Sequence, residues 1–86
     1  MAYEIEFTRA ALKYFDRLRG SDLRRISEAI GRLEENPNPV SSRRISGSDG
    51  LLRIRVGDYR IVYRIEENSV VVIARIGHRR EVYRGL

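Results

Sequence analysis

The stretch that most constrains the fold is residues 52–65, in which apolar residues alternate with arginines on both sides of Gly57-Asp58. Alternation over such a length is typical of half-buried β-strands. A two-residue connection with glycine first favours a hairpin with a type II′ turn, which pairs Val56 with Tyr59 and Arg55 with Arg60. One face is then predicted to be apolar and to pack against helices: Leu52, Ile54, Val56, Tyr59, Ile61 and Tyr63. The opposite face carries Arg53, Arg55, Arg60, Val62 and Arg64.

A third strand is predicted at about residues 69–76. Pairing Ile65 with Val70 across the intervening turn places Arg60 opposite Arg75. An arginine row results, made of Arg55, Arg60 and Arg75, with Arg53 diagonal to it and Arg79 further along the last strand. Like charges directly opposite each other destabilise a sheet by up to ~1 kcal/mol per pair. The row therefore indicates a site for a phosphodiester, and a solvated face without a ligand is the alternative.

The first half of the chain is predicted to form one strand and two amphipathic helices. Residues 2–7 alternate in polarity, and apolar residues then recur at helical spacing. Thr8 is the expected N-cap of the first helix and Ser21 that of the second, which ends near Glu35. A polar connection over residues 40–50 follows.

The predicted order of elements is β-α-α-β-β-β. Two amphipathic helices need an apolar surface, and one face of the sheet offers it. The prediction is an α+β fold, a single domain over residues 1–86, with both helices packed on one face of an antiparallel sheet.

The charge of the chain is segregated along its length. The formal net charge is +5, and residues 41–86, with ten arginines and five acidic residues, supply the whole excess. Arginine recognises phosphate through two parallel hydrogen bonds. The second half therefore indicates an anionic partner, nucleic acid first, although an arginine bias is also typical of GC-rich genomes.

Several classes of protein are disfavoured by composition. The sequence has no cysteine and one histidine, which excludes disulfides and thiolate metal sites and argues against zinc. No metal and no cofactor are expected. No long apolar run or signal-peptide pattern is present, so we expect no membrane association and a cytoplasmic location.

The segment Gly77-His-Arg-Arg-Glu-Val-Tyr-Arg84 adds side chains whose chemistry complements the arginines. His78 is the one residue able to exchange protons near neutral pH, and Tyr83 is suited to stacking on a base. A half-buried histidine without a role and a tyrosine covering a sheet edge are the alternatives. Arg43 and Arg44 either extend the arginine face or lie in a solvated loop.

Four segments together resemble the RelE/ParE toxin superfamily, and its RelE-like branch in particular. They are Tyr3-Glu-Ile-Glu-Phe7, Phe7-Thr-Arg-Ala-Ala-Leu-Lys-Tyr-Phe-Asp-Arg-Leu18, Tyr59-Arg-Ile-Val-Tyr63 and Gly77-His-Arg-Arg-Glu-Val-Tyr83. The resemblance implies a toxin of a type II toxin–antitoxin pair, neutralised by a cognate RelB-like antitoxin. It further implies a ribosome-dependent endoribonuclease that cuts mRNA in the ribosomal A site. The 2′-hydroxyl of the RNA is then the nucleophile, a 2′,3′-cyclic phosphate is left, and no metal takes part.

The resemblance also implies roles for single residues. Arg60 matches the arginine that contacts the scissile phosphate, and Arg79 the one assigned to the charge of the leaving group or transition state. Tyr83 matches the tyrosine that stacks on and orients the substrate.

Arg53 and Arg55 occupy positions that are lysines in some relatives, and with Arg75 they are expected to bind RNA phosphate. Because arginine stays protonated, it cannot serve as the general base that a lysine can become. His78 is the candidate for that role.

Two other functions stay open. One is a ParE-like toxin that poisons DNA gyrase by protein contact and has no nuclease activity; members of that branch usually lack the set of basic residues and tyrosine. The other is a catalytically degenerate relative whose arginines serve only an acidic antitoxin.

Overall fold

The structure is a computed structural model that describes residues 2–85. Its elements are, in chain order, β1 (Glu4–Phe7), α1 (Arg9–Arg17), α2 (Gly20–Glu35), β2 (Arg43–Arg44), β3 (Leu52–Val56), β4 (Tyr59–Glu66) and β5 (Val70–His78). The five strands form one sheet in the order β1-β5-β4-β3-β2, and both helices pack on one of its faces. The predicted α+β class is confirmed, with a short additional strand, β2, inside the connection that was expected to be irregular.

The sheet is mixed, and the prediction of a purely antiparallel sheet is wrong for β1. This strand runs parallel to β5, with Glu4 opposite Val70 and Phe7 opposite Ile73. All other strand pairs are antiparallel. A parallel pair needs a long crossover between its strands, and here the two helices and the β2–β4 segment supply it.

Thr8 joins the first helix to the sheet. Its Oγ1 accepts a hydrogen bond from the Ala11 amide at 3.2 Å, which confirms it as the N-cap of α1. The same hydroxyl donates to the Ala74 carbonyl at 2.7 Å, and the Thr8 amide donates to the Ile73 carbonyl at 3.0 Å. One residue therefore begins α1 and fixes it to β5.

The second helix begins earlier than predicted. Arg19 occupies its N-cap position without a side-chain hydrogen bond, and α2 starts at Gly20, so the prediction of Ser21 as N-cap is wrong. Gly20 has φ +60°, a left-handed value that glycine adopts without strain. The sharp turn between the helices is made there, and Ser21 already lies inside the first turn of α2. The end of α2 at Glu35 is as predicted.

The core lies between the helices and the predicted apolar face of the hairpin. Its largest fully buried side chains on this side include Tyr63, Ile26, Leu33, Ile61 and Ile73. The Tyr63 hydroxyl donates to the buried Pro37 carbonyl at 2.7 Å. Burial raises the pKa of Tyr63 above its ordinary value of 10.0, and a hydrogen bond with Ser42 acts in the opposite direction.

The β3–β4 hairpin has the predicted register, with Arg55 opposite Arg60 and Val56 opposite Tyr59. Gly57 has φ +61°, the left-handed value that the first position of a type II′ turn requires.

The predicted register of β4 with β5 is wrong. Glu66, not Ile65, lies opposite Val70, and a bulge between Val62 and Tyr63 shifts the ladder by one more residue. Arg60 therefore lies opposite Gly77, and Arg75 lies opposite Val62. The row of Arg55, Arg60 and Arg75 does not exist.

No helix among residues 2–85 is both long enough and apolar enough to cross a membrane.

Candidate functional site

The sheet face that carries no helix, the outer face, presents a group of arginines that we call the arginine patch. It consists of Arg43, Arg53, Arg55 and Arg60. Two pairs in it face each other directly across strands: Arg43 with Arg53, and Arg55 with Arg60. A surface pocket of about 280 Å³ is lined by Ser41, Arg43, Arg53 and Arg55. β2 thus settles the open question about Arg43, which extends the arginine face.

Within residues 2–85, no carboxylate forms an ion pair with the arginine patch. Among the described residues, only two ion pairs lie within 4.0 Å: Arg64 with Glu66 at 2.6 Å, and Arg79 with Asp58 at 3.9 Å. Opposed arginines repel each other, so an anion that bridges them relieves this repulsion and gains charge-assisted hydrogen bonds. The patch is therefore suited to a phosphate-bearing ligand.

The hairpin turn Gly57-Asp58 brings Arg60 and Arg79 to the same place. Arg60 Nη1 donates to the Gly57 carbonyl at 2.9 Å and to the Tyr59 carbonyl at 2.8 Å. The Arg79 amide donates to the Asp58 carbonyl at 2.8 Å. Both side chains of the Arg79–Asp58 pair are more than half exposed, and such a pair is weak in water. The guanidinium of Arg79 is thus free to exchange Asp58 for a phosphate.

Residues 79–85 form what we call the C-terminal turn, which folds back over the outer face. A Cβ atom added to Gly77 would lie 3.4 Å from Val82 Cβ, so Val82 packs directly over that strand position. Arg75 Nη1 donates to the carbonyls of Val82, at 3.4 Å, and Arg84. Arg75 therefore holds the turn in place, and it is separated from the arginine patch by the buried Val62.

Tyr83 follows Val82 in this turn and is exposed. Because Gly77, under Val82, lies opposite Arg60, the C-terminal turn borders the arginine patch. The structure therefore brings Arg55, Arg60 and Arg79 to one end of the outer face, and Tyr83 lies in the turn that borders this end. Arg53 lies two residues further along β3.

Like Arg75, His78 is a predicted site residue that the structure places away from the arginine patch. It lies opposite Tyr59 in the ladder, on the side of the sheet that faces the helices. The rings of Tyr59 and His78 have centroids 6.2 Å apart. The His78 ring thus points away from the arginine patch, so its position does not support the role of general base.

Tyr59 connects this side of the sheet to α2. Its hydroxyl donates to Asp22 Oδ2 at 3.0 Å. This hydrogen bond, with burial and the charge of Asp22, raises the pKa of Tyr59 above its ordinary value of 10.0. Asp22 and Asp58 were not among the predicted site residues. Asp58 was visible as a turn residue, whereas the contact of Asp22 with a strand 37 residues away has no local signal.

Acidic side chains gather at the opposite end of the outer face. Glu4 and Glu6 of β1 alternate with the partly buried Ile5 and Phe7, which pack on the core, so the two glutamates face outward. They lie opposite Val70 and Val72, while Glu66 pairs with Arg64. The carboxylates are thus kept away from the arginine patch. Within residues 2–85, no cluster of three or more His, Asp or Glu side chains is placed to hold a metal ion.

In a comparison with known proteins, residues 5–83 match the family described as the ParE toxin of type II toxin–antitoxin systems, parDE. The chain is 30% identical over 88 residues to a Methanocaldococcus jannaschii protein named as toxin RelE1, with 98% of both chains covered. It is 35% identical over 86 residues to toxin RelG of Mycobacterium tuberculosis, covering 98% of this chain and 99% of the relative.

A solved structure is also similar. It is that of an archaeal RelE–RelB complex from Pyrococcus horikoshii, with a TM-score of 0.78 and 26% identity. The similarity covers 95% of this chain and 100% of the matched chain.

Proposed function

Because the chain belongs to the RelE/ParE toxin superfamily of type II toxin–antitoxin systems, in its RelE-like branch, we propose that it is a ribosome-dependent endoribonuclease that cleaves mRNA. The observation that carries the proposal is that Arg60 and Arg79 both contact the Gly57-Asp58 turn, beside arginines that form no ion pair with a carboxylate of residues 2–85. Such an arrangement is suited to a phosphodiester whose negative charge increases during the reaction.

In the proposed reaction the 2′-oxygen of a ribose attacks the adjacent phosphorus. The new P–O2′ bond forms as the P–O5′ bond breaks, which leaves a 2′,3′-cyclic phosphate. The 2′-hydroxyl loses its proton to water, and the departing 5′-oxygen takes a proton from water. Arg60 binds the nonbridging oxygens of the scissile phosphate, and Arg79 neutralises the charge that develops on the leaving oxygen.

The remaining residues hold the RNA. Arg53 and Arg55 bind neighbouring phosphates, and Tyr83, exposed beside them, stacks on a base. We assign the neutralisation of charge to guanidinium groups, so no metal or organic cofactor is required. Arg75 acts indirectly, because its guanidinium holds the C-terminal turn that carries Arg79 and Tyr83.

The partner and location follow from the same proposal. The similar Pyrococcus horikoshii structure is a RelE–RelB complex, so we expect a cognate RelB-like antitoxin to bind and neutralise this chain. Its substrate, mRNA on the ribosome, places its action in the cytoplasm.

The test is inducible expression with mapping of RNA 5′ ends on a translated message and on the same message without a start codon. We expect cleavage of the translated message only, and its loss in Arg60→Ala and in Arg79→Ala. Arg64→Ala is the matched control, because Arg64 lies on the same strand and face as Arg60 but is paired with Glu66. It should cleave like the wild type.

The family match described as ParE toxin favours a second candidate, a gyrase inhibitor without nuclease activity. Growth arrest with intact mRNA and inhibited gyrase supercoiling would establish that candidate and overturn the first. Antitoxin binding without growth arrest would indicate a catalytically degenerate relative.

A further inference from the structure

His78 packs against Tyr59 on the helix-facing side of the sheet, and both helices contact Tyr59 in turn. Its ring packs against Tyr59 of β4, and the Tyr59 ring packs against Tyr14 of α1, with centroids 6.4 Å apart. The Tyr59 hydroxyl is bonded to Asp22 of α2. The ring of His78 is therefore placed by packing that is independent of any RNA ligand.

The same residue begins the C-terminal turn. Its Nδ1 accepts a hydrogen bond from the Arg80 amide at 3.3 Å. Its carbonyl accepts from the amides of Glu81 at 2.9 Å and Val82 at 3.0 Å. A side-chain acceptor that bonds the amide two residues ahead is how asparagine and aspartate start turns. Histidine Nδ1 is as many bonds from the backbone as asparagine Oδ1, so His78 performs the same local role.

We propose that His78 is a positioning residue of the nuclease: its Nδ1 caps the C-terminal turn and thereby directs Arg79 and Tyr83 toward the RNA. The consequence for cleavage rests on the proposed function, whereas the cap itself does not. A neutral imidazole that accepts at Nδ1 carries its proton on Nε2. Such a ring has no lone pair left for a 2′-hydroxyl, which explains how the residue is needed without being the general base.

Two matched variants separate a cap from a base. His78→Asn keeps an acceptor at the right position but cannot act as a base near neutral pH. His78→Phe keeps a ring against Tyr59 but has no acceptor. We expect His78→Asn to cleave within about threefold of wild type. His78→Phe should lose about tenfold or more, since misplaced groups cost up to ~10²-fold.

The cap is also measurable without any activity. His78 is the only histidine, so one set of ring ¹⁵N signals reports its tautomer in wild-type protein. We expect the Nε2–H tautomer at pH 8 and slow exchange of the Arg80 amide, which becomes faster in His78→Phe.

Each result decides something different. An Nδ1–H tautomer, an inactive His78→Asn, or a fully active His78→Phe would overturn the proposal. An inactive wild type with the expected tautomer and amide protection would instead overturn the proposed nuclease function and leave the cap established.

Discussion

Val82 packs directly over Gly77, at a distance where a Cβ atom on residue 77 would just touch it, 3.4 Å from Val82 Cβ. Gly77 is not in the left-handed region. A single added methyl group therefore makes ordinary contact without strain, whereas a larger side chain meets the buried Val82. The space over Gly77 sets how closely the C-terminal turn approaches β5.

We therefore expect Gly77→Ala to leave the free energy of unfolding unchanged or raise it by up to about 1 kcal/mol. Gly77→Leu should lower it by about 1–3 kcal/mol, because the side chain forces Val82 away. The same variant should lose cleavage, since Arg79 and Tyr83 move with the turn. Urea unfolding and a cleavage assay test both effects, and a Gly77→Leu protein that cleaves at the wild-type rate would contradict this account of the turn.

Salt dependence separates arginines that bind phosphate from the arginine that holds the turn. Each single-strand phosphate contact contributes about −0.7 to the slope of log K against log salt. Arg53→Ala or Arg55→Ala should therefore make the slope of RNA or ribosome binding shallower by about that amount.

Arg75→Met, which keeps the aliphatic stem of Arg75, should leave this slope unchanged and still reduce cleavage. Titrations of binding between low and physiological salt measure it. An equal change of slope in Arg75→Met would return Arg75 to the set of phosphate ligands that the sequence predicted.

Thr8 is expected to be a stability determinant far from the site. Thr8→Val removes the N-cap bond to Ala11 and the bond to the Ala74 carbonyl with little change of shape. We expect the free energy of unfolding to fall by about 2 kcal/mol. Thr8→Ser keeps both bonds and should be close to wild type; equal stabilities of the two variants would show that neither bond matters.

The raised pKa of Tyr63 predicts that the free energy of unfolding falls at alkaline pH. Its pKa is raised in the folded protein, whereas in the unfolded chain it is about 10. The unfolded chain thus loses this proton first, so the stabilisation is complete below about pH 10 and is lost as the pH rises through the folded value.

Urea unfolding between pH 8 and 11 should show a falling free energy for wild type and a shallower fall for Tyr63→Phe. Tyr59, whose pKa is also raised, contributes in the same direction, so Tyr59→Phe in the same background should make the fall shallower still. A Tyr63→Phe protein with the wild-type pH dependence would contradict the assignment.

The hairpin could be read from the sequence because its register is set by two neighbouring residues. A two-residue turn leaves one way to pair Arg55 with Arg60, and alternation then assigns every other side chain to a face. The apolar face, the cap at Thr8 and the packing of both helices followed from equally local signals.

The register of β4 with β5 could not be read in this way. The turn between β4 and β5 contains Asn68 and Ser69, both at positive φ. It pairs Glu66 with Val70, one residue away from the predicted pairing of Ile65 with Val70. The bulge causes the second one-residue shift, because Ala74 has no partner on β4. The Ala74 carbonyl instead accepts a hydrogen bond from the Thr8 hydroxyl, 66 positions away in the sequence. Each one-residue shift moves Arg75 to the other face of the sheet, so the two shifts together return it to the outer face. They also change its partner on β4 from Arg60 to Val62. The contact that stabilises the bulge is invisible to any local pattern.

His78 was misplaced for a different reason. Once Arg75 and Gly77 are known to face outward, alternation along β5 puts the His78 side chain on the helix-facing side. The prediction relied instead on the proximity of His78 to Arg79 in the sequence. Residues at the end of a strand sit where the chain leaves the sheet, so neighbours in sequence separate to opposite sides there.

The separation of charge on the outer face gives the molecule an in-plane electric dipole. Its negative end lies by Glu4 and Glu6, and its positive end by Arg55, Arg60 and Arg79. In the field of a polyanion such a dipole experiences a torque, so the protein is turned with its hairpin foremost before the surfaces touch. Electrostatics then select the orientation of encounter as well as its rate, and this guidance fades as salt shortens the reach of the field to about 8 Å at physiological ionic strength.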